Sequence, residues 1–315
     1  SANPVRPVTP NSARNRKTTR QTAFALAGFV AIGATGIATL AAWPVGNETP
    51  EIQLEGNVDR GAYLARASGC IACHTDFERG GAPLAGGVEL ETPFGSVFSP
   101  NLTTDPTHGI GSWTIGDFAV AVRQGISPDG SPYYPAFTYP FYQNFTDQEI
   151  ADLWAAFQTV APVSEPSRAP EMPFPFNQRY ALKIWRGMFL KPPRTNPVPE
   201  NGDRWNRGRL LVEGAAHCGA CHTGRNLLGG RKTDTEHFKG SDMLPGGGKA
   251  PAIDFETLRA RGWDVDSLAY ALRTGITPSG DAFGNAMGEV VLYGTQFLTE
   301  ADLKAMATYL MDDHG

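Results

Sequence analysis

Two pentapeptides in this chain have residue types and spacing that could do chemistry: Cys70-Ile71-Ala72-Cys73-His74 and Cys218-Gly219-Ala220-Cys221-His222. Each places two thiols three positions apart and a histidine directly after the second. This is the attachment signature of c-type haem. The thiols add to the two vinyl groups of the porphyrin, and the adjacent imidazole ligates the iron from one face. Together the motifs use all four cysteines, so no thiol remains for a disulfide or a nucleophile. Paired zinc or dithiol sites would explain Cys-x-x-Cys, but not a histidine in the same place both times. The sequence therefore implies two covalently bound haem c groups, attached at Cys70, Cys73, Cys218 and Cys221, with His74 and His222 on the irons.

The opposite face of such an iron is often taken by a methionine thioether, which raises the reduction potential. Met287, in Gly284-Asn285-Ala286-Met287-Gly288, reads as a Gly-flanked loop residue placed to ligate the second iron. The first half breaks the pattern. Equivalent residues are offset by a constant 150 from Arg123/Arg273 through Ala136/Ala286, which sets Phe137 opposite Met287. Phenylalanine cannot bind iron. The first iron is then bis-His through His108, five-coordinate, or ligated by Met172, Met188 or a partner; His108 otherwise reads as a solvated loop residue. The carbonyls of Pro100 and Pro251 could accept a hydrogen bond from the second nitrogen of each proximal histidine, which would fix ring orientation and basicity. Arg123 and Arg273 could pair with haem propionates or lie on the surface.

The elements that position these groups repeat. Arg60-Gly61-Ala62-Tyr63-Leu64 leads into the first motif and Arg207-Gly208-Arg209-Leu210-Leu211 into the second. Leu84-Ala85-Gly86-Gly87 is echoed by Leu227-Leu228-Gly229-Gly230, Trp113 by Trp263, and Arg123-Gln124-Gly125-Ile126 by Arg273-Thr274-Gly275-Ile276. Each half closes with a helix opened by a capping signal, Thr146 with Glu149 and Thr299 with Asp302. Ile150, Leu153, Trp154 and Phe157 follow helical spacing, as do Leu303, Met306, Leu310 and Met311. The expected architecture is all-α, with two class I-like cytochrome c domains at 51–160 and 201–313. A Pro-rich linker at 161–200, with a short helix over Gln178 to Leu190, would hold them at a set separation.

Residues 22–42 carry no charge and follow Arg14, Arg16, Lys17 and Arg20. About 21 helical residues span roughly 30 Å of hydrocarbon. This predicts a transmembrane anchor over 22–43, ending at Trp43, after a cytoplasmic basic tail at 1–21. The chain would sit in the inner membrane as a single-pass protein with its haem domains on the periplasmic side. A cleaved signal sequence, with Ala38, Ala41 and Ala42 near its end, is the alternative. Residues 1–21 hold five basic and no acidic residues, so the remainder has 22 basic against 32 acidic residues, a net of −10. That balance argues against nucleic-acid binding.

Beyond the haem motifs, Thr92-Pro93-Phe94-Gly95, Asn101-Leu102-Thr103-Thr104-Asp105-Pro106, Gly109-Ile110-Gly111-Ser112-Trp113 and Trp205-Asn206-Arg207-Gly208 give the chain a clear likeness. Over about residues 55–313 it resembles the membrane-anchored multihaem cytochrome c subunits of bacterial periplasmic dehydrogenases for alcohol, aldehyde, gluconate and related substrates. Many members carry three haem domains and a methionine near the position of Phe137; this chain has two domains and no such methionine. The resemblance implies single-electron transfer from a periplasmic dehydrogenase or other donor to quinone, another cytochrome or a terminal oxidase. The chain then serves as an electron-transfer subunit more than as a catalyst of its own. The alternatives are a dihaem peroxidase-like enzyme, using an open position on the first haem, and an assembly subunit.

Overall fold

The paired Arg-x-Gly-Ile segments are helix stops. A computed structural model, describing residues 27–28, 31–40, 42–47, 51–192, 194–244 and 247–312, shows the reason. Gly125 and Gly275 follow the last helical residues with φ of +62° and +77°, the left-handed conformation that closes a helix and that glycine adopts without steric cost. The contacts separate residues 1–44 from a unit at 45–315. In that unit the helices are α1 (Val58–Ala67), α2 (Cys70–His74), α3 (Ile115–Gln124), α4 (Tyr139–Tyr142), α5 (Asp147–Phe157), α6 (Ala181–Phe189), α7 (Gly202–Leu210), α8 (Gly219–His222), α9 (Phe255–Ala260), α10 (Val265–Thr274), α11 (Asn285–Tyr293) and α12 (Glu300–Leu310). One antiparallel hairpin, β1 (Glu89–Thr92) and β2 (Gly95–Phe98), pairs Thr92 with Gly95 at its turn. The fold is thus mostly helical with few strands.

Each half is closed by the crossing of its first and last helices, and the repeated Arg-Gly pair makes both crossings. In the first half Gly61 of α1 lies against α5, where an added Cβ would fall 1.8 Å from the Asp152 carbonyl oxygen. In the second, Gly208 of α7 meets α12 with the same gap to Ala305 O, 1.9 Å. The neighbouring arginines clamp each crossing with a two-pronged ion pair. Arg60 donates to Asp152 from Nε at 2.6 Å and Nη2 at 2.8 Å, and Arg207 to Asp302 at 2.8 and 2.7 Å. The apolar faces read from spacing lie in the core: Ile150, Leu153, Leu303 and Met306 are all at most 2% exposed.

The capping signals are realised unequally. Thr146 and Glu149 form a full reciprocal capping box on α5. Thr299 accepts from Asp302 N on α12, but the Asp302 carboxylate does not return the bond to the cap. Its oxygens are taken by Arg207 and by Tyr63 Oη, the latter at 2.6 Å. In the first half these two tasks fall to different residues, Glu149 and Asp152.

Two expectations need correction. Among the described residues no helix is long and apolar enough to cross a membrane. Within the stretch read as an anchor, the described residues 27–28, 31–40 and 42 are helical. The single-pass placement in the inner membrane is overturned, and the sidedness drawn from it falls too. The basic tail at 1–21 and residues 22–26, 29, 30 and 41 lie outside the described residues. The second correction concerns the repeat. Gly86 N donates to His74 O and Gly240 N to His222 O, so Gly86 matches Gly240, not Gly229. Residues 227–230 belong to an insertion of the second half, and Leu227 is 91% exposed.

The Pro-rich linker is tied by hydrogen bonds to the halves it joins. Its first part is stitched to the first half: buried Asn101 donates from Nδ2 to Val163 O at 2.8 Å and Glu165 O at 3.0 Å, and Glu171 bridges Ser96. The halves meet directly. Tyr63 bonds Asp302, the Arg66 guanidinium lies 4.4 Å over the Phe297 ring, and Phe77 stacks on Tyr293 at 4.1 Å.

Candidate haem-binding sites

In both halves the motif cysteines lie on one short helical turn with the histidine at its end. All four thiols are unpaired. Burial, with a smaller contribution from Cys73, pushes the Cys70 thiol up to about 12. Burial likewise raises Cys218 to about 12, helped by Glu213 and Cys221. Cys73 touches solvent, yet the protein packed around it, followed by Cys221 and Glu289, raises it to about 11. The two motifs are neighbours: His217, directly before Cys218, has its Nε2 3.3 Å from the oxygen of Ser68, two residues before Cys70.

Each motif histidine is oriented by a proline carbonyl. His74 Nδ1 lies 2.8 Å from Pro100 O, and His222 Nδ1 lies 2.7 Å from Pro251 O. A carbonyl only accepts, so Nδ1 carries the proton and Nε2 keeps its lone pair. Burial lowers His74 to about 4, the Pro100 bond opposing it in part, and lowers His222 in the same way. Both rings are thus neutral donors at neutral pH. The loops that bring the prolines here are built alike. Thr75 Oγ1 accepts from Leu84 N and Thr223 Oγ1 from Phe238 N, and both threonines are fully buried. The Asn101 side chain, which accepts from Thr103 N and Oγ1, then fixes the chain after Pro100.

The other residues singled out in the sequence are placed as follows. Met287 lies in the first turn of helix α11, not in a loop, and is half-buried against the core. Its helix packs on α2 of the first half as well as on α10. Phe137 sits among Tyr133, Tyr139 and Tyr142, with ring centroids 5.9 to 6.1 Å away. His108 belongs to a turn closed by Asp105, whose Oδ1 accepts from Thr107 N and His108 N. Met172 lies beside the hairpin turn at Gly95, and Met188 is exposed on α6. Arg123 donates to Phe145 O and Asp147, and Arg273 donates to Gln296 O. Both tie a helix end to the turn ahead of the closing helix.

Three groups near the motifs were not singled out in the sequence. Arg225 lies next to Cys221 and donates to Ala220 O and Gly229 O. Glu213 is buried in a π-helical turn ahead of Cys218, its Oε1 held by His237 Nε2 and Tyr309 Oη at 2.7 Å each. His217 stands directly before Cys218 and faces the first motif. Arg225 was legible as a cation following Cys-x-x-Cys-His; the partners of Glu213 and His217 are too distant in sequence to be read.

A reduced thiol pair on one turn, followed by a neutral imidazole with Nε2 free of its proton, is the donor set covalent haem requires, and it is present twice. No family model matches the chain. The chain is 38% identical over 263 residues to a diheme cytochrome c-type protein of Cereibacter sphaeroides, a match covering 82% of this chain and 86% of that one. It is 40% identical over 266 residues to the fructose dehydrogenase cytochrome subunit of Gluconobacter japonicus, covering 83% and 54%. Against the cytochrome c subunit of the quinone-dependent alcohol dehydrogenase of Gluconacetobacter polyoxogenes the identity is 37% over 295 residues, covering 91% and 60%. The chain thus spans 60% or less of the length of these two dehydrogenase subunits.

Proposed function

This chain belongs to the family of c-type cytochromes that includes cytochrome c subunits of alcohol, gluconate and fructose dehydrogenases and a diheme cytochrome c, and from that premise we propose that it is a dihaem electron carrier serving a dehydrogenase. Membership implies covalently bound haem c and an electron-transfer role. The finer reading is that two haems are held, one at Cys70, Cys73 and His74 and one at Cys218, Cys221 and His222. The observation that carries it is the duplicated His–Pro contact: His74 to Pro100 and His222 to Pro251, at 2.8 and 2.7 Å.

A haem bound at such a site supplies a one-electron ferric/ferrous couple. The remaining work is the chain's own. Pro100 and Pro251 hold each imidazole in one tautomer and orientation and raise its basicity. The buried Thr75 and Thr223 fix the loops that carry those prolines. Met287 is the proposed thioether ligand of the second iron. In this reading the first iron lacks its counterpart because Phe137 fills the equivalent place, which leaves the further ligand to His108, to Met172 or Met188, to a partner protein or to none. The proposed donor is a dehydrogenase subunit, and the proposed acceptor is quinone, another cytochrome or an oxidase.

Purification of the native complex tests this, followed by mixing it anaerobically with alcohol, gluconate or fructose. The expected result is a co-purifying dehydrogenase and reduction of the cytochrome by one of these substrates. A cytochrome that purifies alone and stays oxidised with every substrate would overturn the donor assignment.

A further inference from the structure

The two haem-attachment segments meet at one carbonyl. Ser68 ends α1, two residues before Cys70, and its oxygen accepts from Tyr142 Oη at 3.0 Å. The same oxygen lies 3.3 Å from Nε2 of His217, the residue before Cys218. A carbonyl has two lone pairs and no proton, so the imidazole donates and both bonds coexist. Phe141 and Tyr142, from the short helix α4, pack on the imidazole with ring centroids 6.0 Å away.

His217 has an unusual backbone. Its φ is +39°, in the left-handed region. The equivalent residue of the first half, directly before Cys70, is Gly69, with φ of +65°. The turn into a motif thus demands a left-handed residue in both halves. Glycine meets that demand freely, whereas a residue with a Cβ is strained there. Strain of this kind persists only where surrounding structure holds it, and here the side chain reaches across to the other motif. Gly69 is its neighbour: a Cβ on Gly69 would lie 3.8 Å from His217 Nε2, in ordinary contact.

We propose that His217 is a positioning residue that registers the second haem-attachment segment against the first, with the Ser68 carbonyl as anchor and Tyr142 as brace. This rests on the dihaem reading above. It makes this partly buried contact, alongside the Tyr63–Asp302, Arg66–Phe297 and Phe77–Tyr293 contacts that join the halves, a determinant of the spacing and relative orientation of the two sites.

The test uses the holoprotein, whose two ferric irons serve as spins for pulsed EPR, which reads the distribution of inter-iron distances. His217→Asn keeps a residue that tolerates left-handed backbone but is too short to reach Ser68. His217→Gln keeps the reach. The expected result is a narrow distribution for the unaltered protein and H217Q, and one several-fold wider for H217N at unchanged haem content. Tyr142→Phe, which removes only the brace's hydroxyl, should widen it less. An H217N distribution as narrow as that of the unaltered protein would overturn the proposal, as would an H217Q distribution as wide as H217N. So would a lowered melting temperature in H217N without any widening, the mark of a merely structural role. If H217N does not mature, Y142F decides, and an unchanged distribution there overturns the proposal. Intact mass of the unaltered protein checks the dihaem reading separately, before any variant is made.

Discussion

The same substitution, glycine to alanine, should have opposite effects at three places. At Gly61 the new methyl carbon would stand 1.8 Å from Asp152 O and 2.9 Å from Ala156 Cβ; at Gly208 it would stand 1.9 Å from Ala305 O and 2.9 Å from Tyr309 Cβ. Ordinary C···O contacts are about 3.4 Å, so each helix pair must part by roughly 1.5 Å. The obstacle is backbone and cannot rotate away. Overpacking of this severity costs about 3 kcal/mol. Alanine's better helix propensity returns about 1 kcal/mol, leaving a net loss of about 2 kcal/mol at each site. Gly187 lies inside α6 with nothing within 4 Å of its Cβ position. There only the propensity term acts, and Gly187→Ala should gain about 0.5–1 kcal/mol. Urea unfolding of the three holoprotein variants, followed by circular dichroism, measures all of this. Gly61→Ala and Gly208→Ala lie in different helix crossings, so their losses should add to within about 0.5 kcal/mol. If both crossing variants unfold within about 0.5 kcal/mol of the unaltered protein, the crossings are not tight and the reasoning fails.

Further outcomes are expected. Met287→Ala should alter the spectrum of one haem only and lower its potential, since thioether ligation favours the ferrous state; a redox titration in which both haems keep their potentials contradicts the ligand assignment. His108→Ala should perturb the other haem only if His108 is its ligand, read in the same titration. Tyr309→Phe removes one of two bonds to the buried Glu213 carboxylate and should cost about 1–3 kcal/mol by denaturant unfolding, so an unchanged midpoint would deny that bond a stabilising part. Burial alone would raise Asp302, but the Arg207 and Tyr63 hydrogen bonds outweigh it and hold its carboxyl below the usual range. Its contribution is therefore present above the unfolded-state value of about 3.9 and is lost as pH falls through the lower folded value. Asp302→Asn should flatten the acid side of the stability profile, and a profile unchanged below pH ~4 would contradict this.

How much was legible in the sequence varies with distance along the chain. The haem motifs, the capping residues and the Arg-Gly pairs are local patterns, and the structure gives each a physical task. Thr299 with Asp302 is half a cap because Asp302 also serves Arg207 and Tyr63, and Tyr63 lies 239 residues away. The match of Gly86 with Gly229 failed because an insertion shifts the true counterpart to Gly240, which only the bond from each glycine to its motif histidine reveals. Met287 reads as a loop residue because Gly284 and Gly288 flank it; Gly284 in fact precedes α11 as its cap and Gly288 lies inside the helix. The joining of the halves was invisible for the same reason: Ser68 and His217 are 149 residues apart. Nothing in the linker composition says that the two halves also meet directly.

Both motifs should carry covalent haem, and intact-mass spectrometry of the chain after acid-acetone extraction reads this without any further assumption. The prediction is a gain of two haem masses over the bare polypeptide, with thioether-linked peptides at Cys70/Cys73 and at Cys218/Cys221. A gain of one haem, or of none, would contradict it.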